Sequence, residues 1–154
     1  MSEVTVSVTD AATTDSTGLD PTAPASTHPT GDGATTPEAT PTATVLAIET
    51  PTLGDRSYLV HDGRVAFVID PQRDIDRVLD PAHAAGVRIT HIFETHIHND
   101  YVTGGLALAR ETGAAYHVNA DDPVAYQRTG VRDGDVIDVS EALRVRVLAT
   151  PGHT

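Results

Sequence analysis

From Val45 onward, short apolar runs alternate with polar turns. VLAIET (45–50) and SYLVHD (57–62) read as two strands separated by the turn-rich PTLGDR (51–56). Asp62-Gly63 is a tight-turn dipeptide, so RVAFVID (64–70) is expected to pair back as a hairpin. Its unbroken V-A-F-V-I run suits a strand covered on both faces, and Asp70-Pro71 ends it. In 74–80, Ile75, Val78 and Leu79 recur at helical spacing behind Asp74, which is placed to cap or begin the turn. Pro81 either opens a second helical piece or kinks the first, and Gly86 is a natural stop. VRITHIFE (87–94) is the next strand, with Val87, Ile89, His91 and Phe93 expected on one face. A loop follows, then a helix from Gly104 to Thr112, stopped by Gly113. AAYHV (114–118), DVIDV (135–139) and LRVRVLA (143–149) complete the strands. In the last, Leu143, Val145 and Val147 point inward while Arg144 and Arg146 meet water. Strands alternating with helices predict an α/β or α+β domain.

Residues 1–44 have a different texture. They hold thirteen threonines, five prolines and six acids, with no arginine and no aromatic residue. Such a segment buries too little apolar surface to offset its ordering entropy, so a disordered, dispensable tail is expected there, His28 included. Val4-x-Val6-x-Val8 alternates like a strand, but it is short and isolated. The organisation expected is therefore a tail over 1–44 and one domain over 45–154.

The formal net charge is −12 over 154 residues, and all ten basic residues are arginine. A nucleic-acid surface needs clustered positive charge, so that class of partner is not expected. The chain has no cysteine, which removes disulfides, thiolate metal sites and a cysteine nucleophile. No apolar run approaches the roughly 18 residues of a membrane helix, and the acidic first ten residues do not read as a secretory leader. A cytoplasmic protein without membrane partners is the expectation.

Candidate chemistry concentrates after strand 87–94, in Thr95-His96-Ile97-His98-Asn99-Asp100-Tyr101. In extended chain, positions i, i+2 and i+4 share a face, so His96, His98 and Asp100 project together. Two imidazoles and a carboxylate are donors suited to a divalent transition metal. With eight histidines in the chain, a His-x-His pair is expected by chance about 0.4 times, and with a following aspartate about 0.04 times. Placement adds to this, because a second histidine loop, Thr150-Pro151-Gly152-His153, follows the strand 143–149.

THIHND (95–100), ATPGHT (149–154) and VIDP (68–71) together resemble the metallo-β-lactamase superfamily. ETHIHNDYVTGG (94–105) is most similar to its branch of persulfide dioxygenases and glyoxalase II-like thioester hydrolases. The resemblance spans 45–154 and implies the N-terminal half of an αββα sandwich, the N-terminal portion of a longer enzyme. It implies metal positions at His96, His98 and His153. In the persulfide dioxygenase pattern, His96 and His153 ligate beside a downstream aspartate and His98 lies adjacent. Asp100 would be a second-metal ligand or an acid–base group; alternatively it caps the following helix. Asp70 would accept a hydrogen bond from a ligand imidazole or a loop amide. The family signature has histidine where this chain has Tyr101, and a neutral phenol is a poor zinc ligand. One metal ion is therefore expected, Fe(II) ahead of Zn(II), with Tyr101 bonded to substrate or water.

Three functions follow from the resemblance. The first is iron-dependent oxygenation of a small persulfide in sulfur metabolism, often in proteins fused to rhodanese domains. The second is zinc-dependent hydrolysis of a glutathione-type thioester. The third is an inactive truncated relic. Among the other histidines, His91 reads as a core residue, His117 as a cleft-lining one, and His61 and His83 as surface. Gly104 and Gly105 are expected to let backbone approach the site.

Overall fold

The computed structural model describes residues 4–10, 43–51, 54–97 and 102–152, the first of these segments by its backbone alone. Two sheets and two helices form three layers. The larger sheet has the order β2-β3-β4-β5-β6-β7, with β2 Thr44–Thr50, β3 Asp55–His61, β4 Val65–Ile69, β5 Arg88–Phe93, β6 Ala115–Asn119 and β7 Thr129–Val131. The first three strands are antiparallel, and β4 to β7 run parallel. The smaller sheet has the order β1-β9-β8, from Val4–Asp10, Leu143–Ala149 and Val136–Asp138.

Each parallel pair needs a crossover, and two of these crossovers are helices, α1 (Asp76–Ala85) and α2 (Gly105–Thr112). Val78 and Ala82 of α1 and Leu108 of α2 pack with Leu59, Ala66, Val68, Ile89 and Ile92 on one face of the large sheet. Val60, Phe67 and Phe93 on the other face meet Leu143 and Val145 of β9. Each face of β4 is therefore covered, as its continuous apolar run predicts. The layering is helix, sheet, sheet: half of an αββα sandwich.

Three expectations change. The helix runs through Pro81 without breaking, beginning at Asp76 rather than Asp74. The faces of β5 also differ from simple alternation. Pairing with β4 shifts register at Ala66/Phe67, so Ile89 opposes Ala66 while His91 opposes Phe67, and Thr90 is the extra residue. A bulge of this kind turns the side-chain sequence over. Ile89 consequently packs toward the helices, whereas Phe93 packs between the sheets. Finally, Val4–Asp10 lies within the segment expected to be disordered, yet it forms β1, paired antiparallel with all seven residues of β9 from Val4↔Ala149 to Asp10↔Leu143. Backbone pairing along a free strand edge supplies the ordering energy that composition alone does not show. The remainder of the expected tail, residues 11–42, lies outside the described residues.

Candidate metal centre

Three segments converge beyond the C-terminal end of β5: the turn at Asp70–Gln72, the segment Glu94–Ile97, and the start of α2 at Thr103–Gly105. Their contacts are made by short polar side chains and by glycines.

Asp70 anchors the first segment. It has φ 46°, unusual for a residue with a Cβ and costing on the order of 1 kcal/mol. Four hydrogen bonds offset the strain. Its N–H donates to Phe93 O at 2.9 Å, and its carbonyl accepts from Ser57 Oγ at 2.6 Å. Its carboxylate takes the Thr95 N–H on Oδ1 and the Thr95 hydroxyl on Oδ2, both at 2.7 Å.

That last contact fixes the state of His96. Thr95 Oγ1 lies 3.0 Å from His96 Nδ1. The only hydroxyl proton of Thr95 is directed to Asp70, so its oxygen is left to accept, and Nδ1–H of His96 donates. The acceptor lone pair of His96 is then on Nε2, the tautomer that a metal-ligating imidazole bonded through Nδ1 requires. Asp70 takes the Thr95 amide directly and reaches the His96 imidazole through the Thr95 hydroxyl.

Glu94 lies beneath this relay and is 1% exposed. Burial first, and then the nearby Asp70 carboxylate, push its carboxyl well above the usual carboxylate range. The Thr103 hydroxyl donates to Glu94 Oε1 at 2.5 Å, with Pro71 O a second acceptor at 3.0 Å. The Tyr116 hydroxyl also donates to Glu94 Oε1, at 3.0 Å. Burial and the neighbouring Glu94 raise the Tyr116 phenol, which stays neutral, and it is hydrogen-bonded in turn with Tyr126. The glycines at the head of α2 make this arrangement possible. A Cβ on Gly105 would stand 2.1 Å from Glu94 Oε1, and one on Gly104 1.9 Å from Gln72 O. Gly104 N–H donates to Pro71 O at 2.8 Å.

His98, Asp100 and Tyr101 lie outside the described residues, as does His153. The chain is described up to Gly152, beyond Ala149, whose N–H donates to Asp133 Oδ1 at 2.9 Å. Among the described residues no cluster of three metal-ligating side chains occurs. His91 is half-buried with Nδ1 2.9 Å from Thr90 Oγ1, and His117 is buried between the sheets rather than lining a cleft. Sequence reasoning missed Glu94, Thr103 and Tyr116. The signal available for them was the pair Gly104-Gly105, which implied something large close by. No described helix is long and apolar enough to cross a membrane.

The model of the metallo-beta-lactamase superfamily matches residues 50–154. Curated relatives include the hydroxyacylglutathione hydrolase of Polaromonas sp. strain JS666, 38% identical over 91 residues that cover 58% of this chain and 34% of that protein. The hydroxyacylglutathione hydrolase of Maricaulis maris is 34% identical over 116 residues, 71% of this chain and 44% of that one. Among solved structures, ETHE1 from Myxococcus xanthus is 31% identical with a TM-score of 0.66, over 72% of this chain and 50% of its own. A metallo-beta-lactamase from Staphylococcus aureus is 33% identical with a TM-score of 0.64, over 73% of this chain and 36% of its own. The chain spans between a third and a half of the length of these curated relatives.

Proposed function

We propose a metal-dependent thioester hydrolase, on the premise that the chain belongs to the metallo-beta-lactamase superfamily. Its place is in the branch that holds hydroxyacylglutathione hydrolases, and the chain corresponds to the N-terminal half of that fold. Superfamily members generally bind divalent metal ions. The substrate class that best suits the curated relatives is a hydroxyacyl thioester of glutathione.

One observation carries the reading: the Asp70–Thr95–His96 relay, which holds Nδ1–H and presents Nε2. A ligand imidazole needs its second nitrogen held by an acceptor, and this relay supplies that acceptor backed by a carboxylate. His96, with His98 and His153, would hold the metal, which would act as a Lewis acid toward a thioester carbonyl. The work of the remaining residues is positional. Asp70 keeps Thr95 and His96 in one orientation, and Glu94, accepting from Thr103, ties the head of α2 to the same strand end. Asp100 is placed by the sequence to accept or return a proton as the thiolate leaves.

The second reading, iron-dependent oxygenation of a persulfide, is favoured by Tyr101 at the position where a second metal would take histidine. Metal content and two assays on the protein in its full natural length separate them. Zinc with cleavage of a hydroxyacyl-glutathione thioester supports the hydrolase. One iron per chain, with oxygen uptake on glutathione persulfide and no thioester cleavage, overturns it in favour of the oxygenase. Neither metal nor turnover leaves the truncated relic.

A further inference from the structure

A cleft of about 460 Å³ opens beside the C-terminal half of α2 and shares Tyr116 with the segment that carries Glu94. Its walls are the end of α2, the turn at Gly113, the first residues of β6 and the stretch 126–129. The volume is that of a small-molecule site. Its chemistry is unlike the rest of the molecule. The chain has 22 acids against ten arginines, yet no acid lines the cleft and two arginines do, Arg110 and Arg128.

These two cations are differently prepared. Arg128 is held in place: Nη2 donates to Asp122 O at 2.8 Å and to Ala120 O at 3.3 Å. Its Nε is buried without a hydrogen-bond partner among the described residues. The two carbonyl contacts hold the guanidinium in one orientation at the cleft wall. Arg110 is exposed at the last turn of α2, and among the described residues it forms no ion pair. The rest of the lining combines the polar Gln127 and Thr129 with an aromatic and apolar wall. Tyr116 and Tyr126 lie with ring centroids 5.7 Å apart and 29° between planes, beside Leu106 and Ala109.

We propose that this cleft binds a small organic anion, its carboxylate or phosphate head between Arg110 and Arg128 and its apolar body against Tyr126 and Leu106. A bare inorganic anion would leave the aromatic wall uncovered, and a neutral molecule would leave the two guanidinium groups without a counter-charge. The site stands independently of the metal reading, since it uses none of the candidate ligands.

The test is an amide-resolved NMR titration of the full chain with benzoate, with its neutral isostere benzamide, and with inorganic phosphate. Benzoate is expected to give saturable shifts confined to Gly113–Tyr116 and Tyr126–Thr129. Benzamide and phosphate should each bind at least about tenfold more weakly, the loss expected when one charge-assisted contact or the apolar body is absent. Arg110→Gln removes a side chain that supports no other element, so it should keep the melting temperature while weakening benzoate by about tenfold. Equal binding of benzoate and benzamide, phosphate as tight as benzoate, an unaltered Arg110→Gln titration, or benzoate shifts that fail to saturate or spread over the whole surface would each overturn the proposal.

Discussion

Replacing His117 by phenylalanine should remove most of the acid sensitivity of this fold. His117 is 4% exposed, and both of its ring nitrogens are buried without partners among the described residues. Its ring is nearly parallel to those of Phe93, at 4.5 Å, and His91, at 5.3 Å, with 12° between planes in each case. Burial first, and then proximity to His91, lower its pKa from 6.5 to about 4. The folded state therefore holds a neutral imidazole through a range where the unfolded chain is protonated. The sign is that of a depressed pKa: the stabilisation is complete above 6.5 and is lost progressively as pH falls toward 4. Between pH 7.5 and 5.5 the linkage amounts to about 1 kcal/mol, rising to about 3 kcal/mol once pH is below both values.

Urea denaturation of the full chain at these two pH values reads the difference directly, and about 1 kcal/mol corresponds to a melting shift of roughly 3–5 °C in a chain of this size. His91, whose pKa burial also lowers, contributes a smaller slope of the same sign. His117→Phe keeps a ring in the stack and removes both orphaned nitrogens, so it should flatten the profile. Because phenylalanine is somewhat larger, its absolute stability at pH 7.5 is not the readout; the slope is. The His117 ring resonances provide the second measurement, and they should not titrate above pH ~5. An unchanged slope in His117→Phe, or a His117 ring titrating near 6.5, would refute the reasoning.

Four further outcomes are expected. Thr95→Val keeps shape but cuts the hydroxyl between Asp70 and His96, and should weaken metal binding by about 10–100-fold in a chelator-competition titration with little change in melting. Gly104→Ala places a methyl 1.9 Å from the Gln72 carbonyl, so thermal unfolding should show a loss of about 1–3 kcal/mol, whereas an exposed α2 substitution such as Ala107→Ser should lose under 1. Deleting residues 1–10 uncovers the outer edge of β9 and should lower the denaturation midpoint, against the dispensable tail that composition suggests; an unaltered midpoint would show that β1 contributes nothing. Tyr101→His in the protein at its natural length should raise zinc content toward two per chain, and two tightly bound zinc ions in the unmodified protein would contradict a single-metal centre.

Much of the fold was legible because its strands carry period-two or continuous apolar patterns and its turns carry the dipeptides that make them. β9 is the clearest case, with Leu143, Val145 and Val147 all fully buried. Three features were not legible, each for a non-local reason. β7 is Thr129–Val131, three residues that become a strand only because β6 offers an edge. β1 is a valine alternation too short to weigh alone and is defined by its partner. The bulge at Thr90 depends on how β5 registers against β4, and period counting along β5 assigns Ile89 and Phe93 to the same face when they lie on opposite ones.

The candidate centre divides in the same way. His96 and Asp70 were visible because their chemistry is unusual at a strand end, where an acid or imidazole is costly unless it has a task. Glu94 and Tyr116 were not, since each looks like an ordinary strand residue, and their contact spans 22 positions created by the parallel pairing of β5 with β6. The same pairing gives Gly105 its meaning. A helix start tolerates most residues, and glycine there is unfavourable by about 1 kcal/mol relative to alanine. The unfavourable choice is explained by the carboxyl of Glu94 and the ring of Tyr116, which lie 2.1 and 2.5 Å from where a Cβ would be. Burial and the Asp70 carboxylate push the Glu94 carboxyl well above the usual range, and through Thr103 and Tyr116 it holds the helix to the strand. The glycine, the buried acid and the oriented imidazole are therefore one structural solution: α2 is brought close enough to fix the strand end, where the Asp70 carboxylate orients His96 through Thr95.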